Sequence, residues 1–414
     1  MADKERATVY VLCLVPFLMV LGNSMLIPVL PVVRKALGLG LAEVGLLITC
    51  FSLAAGVVIP FAGFASDRIG RKAVMVPALL VYGSGGLLAG LAALLFAEPY
   101  RLILGARVIQ GIGAGGTYQL AMALVGDEIQ GRKRAQALGF LEAANGLGKV
   151  ASPLFGASLA LIGWVVPFFV YGALSFPVAF AVARLARESR PGAGPRRSLG
   201  DYFREFLGIL RAKGGGLAVA FLAGMAVLFA LFGVLSFSSD LLEEEHGIGV
   251  FRRGYILAVP VLIMTAASFS LGIFLKKDPT GLAKPSLLCG LFTAAAGLAL
   301  FGLLPVEKGV LPLVLATVLV GLGTGATLPP VNTLVTGAAP HGERGGLTCL
   351  YGTVRFFGVA VGPPVFALGA GRMKLPLFLG VAAGLVFLAV LALLLVKPEG
   401  ILPPEMRGEA GRKA

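Results

Sequence analysis

Twelve times along this chain a predominantly apolar run of roughly 20 or more residues recurs, each long enough to cross the hydrocarbon layer of a bilayer as a helix. The runs cover 8–33, 41–65, 73–96, 100–125, 133–161 and 165–186, then 216–242, 253–275, 284–304, 311–336, 344–370 and 375–396. Between the sixth and seventh lies a polar stretch rich in Arg, Gly and Pro. The expected fold is an all-α membrane protein with twelve transmembrane helices in two pseudo-symmetric six-helix bundles. The bundles are expected over 1–186 and 216–396, joined by a cytoplasmic linker at 187–215 and followed by a cytoplasmic tail at 397–414. Only 14% of the residues are charged, against about 25% in soluble domains, so no substantial soluble domain is expected. The first run is too long for a signal-peptide core and lacks a small-residue cleavage site, so it is read as a retained span.

Lys and Arg total 35 against 21 Asp and Glu. With the N-terminus inside, 24 of the 35 fall in cytoplasmic segments, eight fall in outer loops, and Arg107, Lys149 and Arg355 lie within spans. This bias puts both termini in the cytoplasm of a cell-membrane protein that passes through the bilayer many times. The basic excess sits in short loops, so it sets topology rather than binding nucleic acid. The four cysteines lie in apolar runs without a CxxC, and the two histidines, His246 and His341, lie in loops. No metal site is therefore expected. No HExxH, GxSxG or Walker lysine is present, so the chain is not read as an enzyme. Gly111-x-Gly113-x-x-Gly116 matches a dinucleotide fingerprint but lies inside an apolar run, where close helix packing explains it.

The two halves repeat. Gly111-Ile-Gly113-Ala-Gly115 in span 4 returns as Gly321-Leu-Gly323-Thr-Gly325 in span 10, an offset of 210. Gly148-x3-Ser152-Pro153 in span 5 returns at the same offset as Gly358-x3-Gly362-Pro363 in span 11. A duplicated six-helix unit with binding near the midplane is a transporter architecture.

Span 5 carries the most unusual face. Glu142 and Lys149 are seven residues apart, hence on one side of a helix about 10 Å apart along its axis, with Asn145 between them. Charge inside a membrane is costly and defaults to function. Arg355 in span 11 is the 210-offset counterpart of Asn145. Glu142, Lys149, Asn145, Arg355 and Arg107 are expected to line a central cavity. Glu243-Glu244-Glu245 reads as a solvated outer helix end, whereas Ser236, Ser238, Ser239 and Asp240 either line an outer vestibule or pack helices.

The loop after span 2 reads Gly63-Phe-Ala-Ser-Asp67-Arg68-Ile-Gly70-Arg71-Lys72. A tight turn with topogenic charge accounts for Gly70, Arg68 and Lys72 but not for Asp67 or Gly63. The loop resembles the G-x-L-a-D-R-x-G-R-K pattern of the major facilitator superfamily, departing only at Ala65. Three further motifs resemble its twelve-helix drug:proton antiporter branch. These are Leu21-Gly22-x5-Pro28-Val-Leu-Pro31, Arg107-x-x-Gln110-Gly111-x-Gly113 and Gly148-x3-Ser152-Pro153-x2-Gly156. The last is similar to the antiporter signature G-x3-G-P-x2-G-G, with Ser152 and Ala157 replacing two glycines. The stretch Asn145-Gly-Leu-Gly-Lys149-Val-x-Ser-Pro153 also resembles the branch that includes bacillibactin-type siderophore exporters.

The resemblance implies a proton-coupled secondary exporter working by alternating access, with no cofactor and a proton gradient as its energy source. Its partners are then a small-molecule cargo, protons and the bilayer, and it is expected to act as a monomer. Gly63, Asp67, Arg68, Gly70 and Arg71, with Asp127 as partner of Arg71, form a conformational latch. Gly148, Ser152, Pro153, Gly358, Gly362 and Pro363 form hinges. Arg107 and Glu142 are assigned to proton coupling, since a change of access that alternates the surroundings of Glu142 would couple its protonation to transport. Lys149, Asn145, Arg355 and Gln110 are assigned to the cargo. Three cations against one carboxylate favour anionic or neutral amphiphiles, such as drugs or siderophores. Import of a metabolite and lipid flipping are the alternatives on the same fold.

Overall fold

The computed structural model describes residues 3–129, 132–189, 199–305, 309–338, 344–369 and 374–403. Linker residues 190–198, tail residues 404–414, and Lys308, His341 and Arg372 lie outside the described residues. The elements in the first half are α1 (Asp3–Ser24), a 3-10 turn (Ile27–Val29), α2 (Leu30–Leu37), α3 (Leu41–Ile69), α4 (Arg71–Leu95), α5 (Tyr100–Gly115), α6 (Tyr118–Glu128), α7 (Arg132–Ala160) and α8 (Val166–Leu185). Then come α9 (Leu199–Lys213), α10 (Gly215–Glu244), α11 (Val250–Lys277), α12 (Pro279–Leu303), α13 (Val310–Ala338), α14 (Arg344–Ala367), α15 (Lys374–Leu395) and α16 (Pro398–Ile401). Among the described residues, eleven helical stretches are long and apolar enough to cross a membrane. The twelfth, α7, is 29 residues long, and its polar residues Glu142, Asn145 and Lys149 lower its hydropathy. The fold is the expected all-α membrane architecture of twelve spans.

Contacts divide the chain into two compact units, Met1–Ser198 with Gly249–Ala258, and Leu199–Ile248 with Val259–Ala414. Within each unit, glycines set the helix packing, because a missing side chain lets backbones approach closely. In the first unit a Cβ on Gly111 or Gly115 of α5 would strike the carbonyls of Phe51 and Ala55 on α3. In the second, a Cβ on Gly321 or Gly325 of α13 would strike the carbonyls of Pro260 and Met264 on α11. Likewise Gly113 abuts Ala78 and Tyr82 of α4, and Gly323 abuts Gly290 and Ala294 of α12. Gly148 abuts Phe17 of α1, and Gly358 abuts Met225 of α10. The 210-residue repeat of the glycines is therefore a repeat of packing register, each glycine meeting the corresponding helix of its own unit at a nearby offset. It places Asn145 and Arg355 at equivalent positions on α7 and α14. The dinucleotide-like glycines are used in the same way, as helix contacts.

The units differ in continuity. Span 1 is interrupted between Ser24 and Leu30, and span 4 between Gly115 and Tyr118, whereas α13 runs unbroken through Pro329 and Pro330. Two details depart from the sequence reading. The polar linker contains a 15-residue helix, α9, which packs with the second unit. Arg253, one of the eight Lys and Arg assigned above to outer loops, lies in the first turn of α11 and is wholly buried, with Nε donating to the Pro28 carbonyl at 2.9 Å. The helix begins several residues earlier than hydropathy suggests, because the Arg253 N–H already closes a helical bond to the Gly249 carbonyl. Beside it, Gly254 lies against the Pro153 carbonyl and Ala157.

Candidate functional site

The centre of the first unit is a polar cluster built on α5. Arg107 is completely buried. Its Nε donates to the Leu47 carbonyl at 2.8 Å, Nη1 to the Gly22 carbonyl at 2.7 Å and to Gln110 Oε1 at 2.6 Å, and Nη2 to Asn23 Oδ1 at 2.8 Å. The guanidinium also lies 4.5 Å from the centre of the Phe51 ring. Every one of these acceptors is neutral, so the charge is held by oriented dipoles rather than by a carboxylate. Asn23 in turn donates to Ser52 at 3.2 Å, and Tyr82 donates to the Leu18 carbonyl at 2.9 Å. Gly22 is required here, since a Cβ would collide with the Tyr82 hydroxyl and the Gln110 amide. Where span 1 breaks, the Leu26 N–H turns to the Asn23 carbonyl and the Gly22 carbonyl accepts from Arg107.

On α7 the expected polar face separates by burial. Asn145 is buried, Lys149 is half-buried and Glu142 is exposed. Glu142 accepts a 2.5 Å hydrogen bond from the hydroxyl of Tyr118, the first residue of α6. In the second unit Arg355 is half-buried, its guanidinium 5.5 Å from the centre of the Tyr351 ring. Ser236, Ser238 and Ser239 are buried, and Ser238 packs α10 against α13, its hydroxyl 3.4 Å from that of Thr317.

The loop after span 2 is a closed ionic network. Gly70, at φ 108, ends α3 and begins α4, a conformation that glycine adopts without strain. Arg71 pairs with Asp67, and donates to Ser66 Oγ at 2.6 Å and to Asp127 Oδ2 at 3.2 Å. Ser66 Oγ donates to the Gly63 carbonyl at 2.7 Å, and Arg68 lies over the Phe64 ring at 4.4 Å. The Glu188 carboxylate accepts from the backbone N–H of Arg71 at 2.5 Å and of Lys72 at 3.0 Å. It thereby caps α4, where a carboxylate meets the positive end of the helix dipole. Of the hinge residues, Gly148 lies against α1, and Ser152 bonds the Gly148 carbonyl at 2.5 Å. Gly358 and Gly362 lie against Met225 and Phe229 of α10, while Pro153 and Pro363 continue their helices.

The model of the Major Facilitator Superfamily matches residues 12–363 and again 281–412. The chain belongs to the major facilitator superfamily. It is 36% identical over 356 residues to the bacillibactin exporter of Bacillus subtilis (strain 168), covering 85% of this chain and 87% of that one. It is 29% identical over 395 residues to the multidrug efflux protein YfmO of the same organism, covering 92% and 90%. In structure it resembles a bacterial homologue of the human lysosomal transporter Spinster, with a TM-score of 0.74 at 19% identity, over 98% of this chain and 100% of that one. The protein is thus a multi-pass membrane transporter of the superfamily, and not an enzyme.

Among the superfamily motifs, the structure brings Arg107 together with Gln110, and Asp67 and Asp127 together at Arg71. Sequence reasoning missed Asn23, Tyr118 and Glu188. Asn23 had a usable signal, an amide in an otherwise apolar span directly after Leu21-Gly22. Tyr118 had a weaker one, its place just after four closely spaced small residues. Glu188 had none, because it is 117 residues from Arg71.

Proposed function

We propose that this superfamily member is a proton-coupled exporter of small amphipathic molecules, an antiporter working by alternating access, with both termini cytoplasmic and the monomer as the working unit. Anionic or neutral cargo is favoured, a siderophore or an amphipathic drug. The observation that carries the reading is Glu142. It is an exposed carboxylate on a membrane-spanning helix, the one span among the described residues whose hydropathy falls below that of the others. Such a group can take and release a proton, and charge in that position is rarely kept without function. The fixed cation Arg107, whose hydrogen bonds to Leu47, Gly22, Gln110 and Asn23 all go to neutral acceptors, supplies a positive field to the same unit. Lys149 and Arg355 add two further cations at half-buried positions, which is the basis for anionic cargo. The names of the relatives, a bacillibactin exporter and a multidrug efflux protein, support export as the direction.

The test is transport in proteoliposomes under an imposed pH gradient, with a catecholate siderophore and ethidium as alternative cargoes. The expected result is proton-driven movement that favours the siderophore and is lost in Glu142→Gln. Full proton-driven transport by Glu142→Gln would remove Glu142 as the carrier. Preference for ethidium would overturn the anionic assignment.

A further inference from the structure

The interruption of span 4 places a group that the motifs do not account for. At the end of α5 the helix tightens, with Gly116 N–H bonding the Gly113 carbonyl and Thr117 N–H the Ala114 carbonyl. Thr117 then leaves helical geometry (φ −118, ψ −83), and its hydroxyl turns back to the Ala114 carbonyl at 2.6 Å instead of capping the next helix. α6 restarts with Ala121 N–H on the Thr117 carbonyl. The break frees Tyr118 from the register of α5, and its hydroxyl reaches Glu142 on α7. Tyr118 itself is buried, whereas Glu142 is exposed. One end of the bond is therefore anchored in the unit and the other lies at its surface.

The duplicated unit supplies the control. At the 210-residue offset Tyr118 becomes Leu328 and Glu142 becomes Gly352, and α13 has no break. The scaffold folds in the second unit without either the break or the pair, so neither is a requirement of the packing. The helices packed on α7 carry their charges at their ends. α1 has Asp3, Lys4, Glu5 and Arg6 in its first turn, α8 has Arg184 in its last turn, α6 has Asp127 and Glu128 at its far end, and α11, whose Gly254 lies against Pro153 and Ala157, has Arg252 and Arg253 in its first turn. On α7 itself Lys149 lies two turns away and Arg132, Lys133 and Arg134 lie at its start.

We propose that Tyr118 is a positioning residue that couples the protonation state of Glu142 to the contact between α6 and α7. This rests on the reading of Glu142 as the proton carrier. A hydroxyl donating to an ionised carboxylate makes a charge-assisted bond, roughly twice as strong as a neutral one. Proton binding removes that charge and weakens the contact, and the linkage is reciprocal: whatever separates α6 from α7 also changes the hold of Glu142 on its proton.

The experiment compares two modes of transport by the full chain in proteoliposomes, pH-gradient-driven movement and gradient-free counterflow of a catecholate siderophore. For Tyr118→Phe we expect a split, with driven transport falling roughly tenfold and counterflow by less than about twofold. The double variant Tyr118→Phe/Glu142→Gln is expected to be no worse than Glu142→Gln alone, since the two groups act as one. Equal loss of both modes would show a merely structural tyrosine and overturn the proposal. Wild-type driven transport by Tyr118→Phe, with Glu142→Gln inactive, would also overturn it while leaving Glu142 as carrier. Driven transport retained by Glu142→Gln would instead remove the underlying reading.

Discussion

The two units share a skeleton and differ in what they bury. In the first, Arg107 sits at the heart of α5, ringed by Asn23, Gln110 and two backbone carbonyls. At the 210-residue offset the second has Thr317 and Val320 in place of Arg107 and Gln110. Thr317 bonds only locally to the Leu313 carbonyl at 2.6 Å and approaches Ser238 at 3.4 Å. Yet the glycines beside them, Gly111 and Gly321, meet the same kind of backbone carbonyl in the same register. Duplication preserved the requirement for close backbone approach. It did not preserve the polar chemistry, which is concentrated in the first unit. Even the packing is sometimes conserved by exchange: Gly156 of α7 lies against the Met25 carbonyl in the turn after α1, whereas in the second unit Phe366 of α14 occupies the corresponding site and Gly233 of α10 makes room for it.

If the skeletons are equivalent, damage to either should be equivalent. Gly111→Val and Gly321→Val each drive a side chain into a backbone carbonyl that cannot move aside. Both are expected to abolish recovery of folded, monodisperse protein from detergent, and survival of one but not the other would break the comparison. The polar centres should respond unequally. Arg107→Leu leaves four acceptors without their donor and is expected to cost about 3 kcal/mol in equilibrium unfolding in mixed micelles. Thr317→Val removes a local bond and is expected to cost under about 1 kcal/mol. Equal losses would mean that the second unit depends on its threonines as the first does on its arginine. The smallest effects are expected at the network after span 2. Glu188→Ala removes the cap of α4 for about 1 kcal/mol, while Asp127→Asn, with an exposed carboxylate partner of Arg71, is expected to cost under about 0.5 kcal/mol. The same unfolding measurement ranks the two.

Much of this architecture could be read from residue order, for identifiable reasons. Spans are legible because lipid demands long apolar helices, and the duplication is legible because glycines recur where backbones touch. Arg107 stood out because charge in an apolar run is rare. The α7 face was legible as a set but not as an arrangement: nothing in the spacing of Glu142, Asn145 and Lys149 says that Glu142 is exposed and Asn145 buried. Arg253 was misplaced because hydropathy marks apolarity rather than helix ends. A guanidinium accommodated by a backbone carbonyl scores the same as one in water.

Residue order alone accounts for twelve spans, their pairing into two repeats, the loop motif of the superfamily and the identity of the intramembrane charges. These depend on composition, period and offset, all of which are local in the chain. Which groups the charges meet is set by folding: Arg107 with Asn23 and Gly22, Glu142 with Tyr118, Arg71 with Asp127 and Glu188. Those partners are chosen by helix breaks and by glycine-set distances between helices far apart in sequence. A hydrogen bond is specified by an ångström-scale approach that no spacing along one helix encodes.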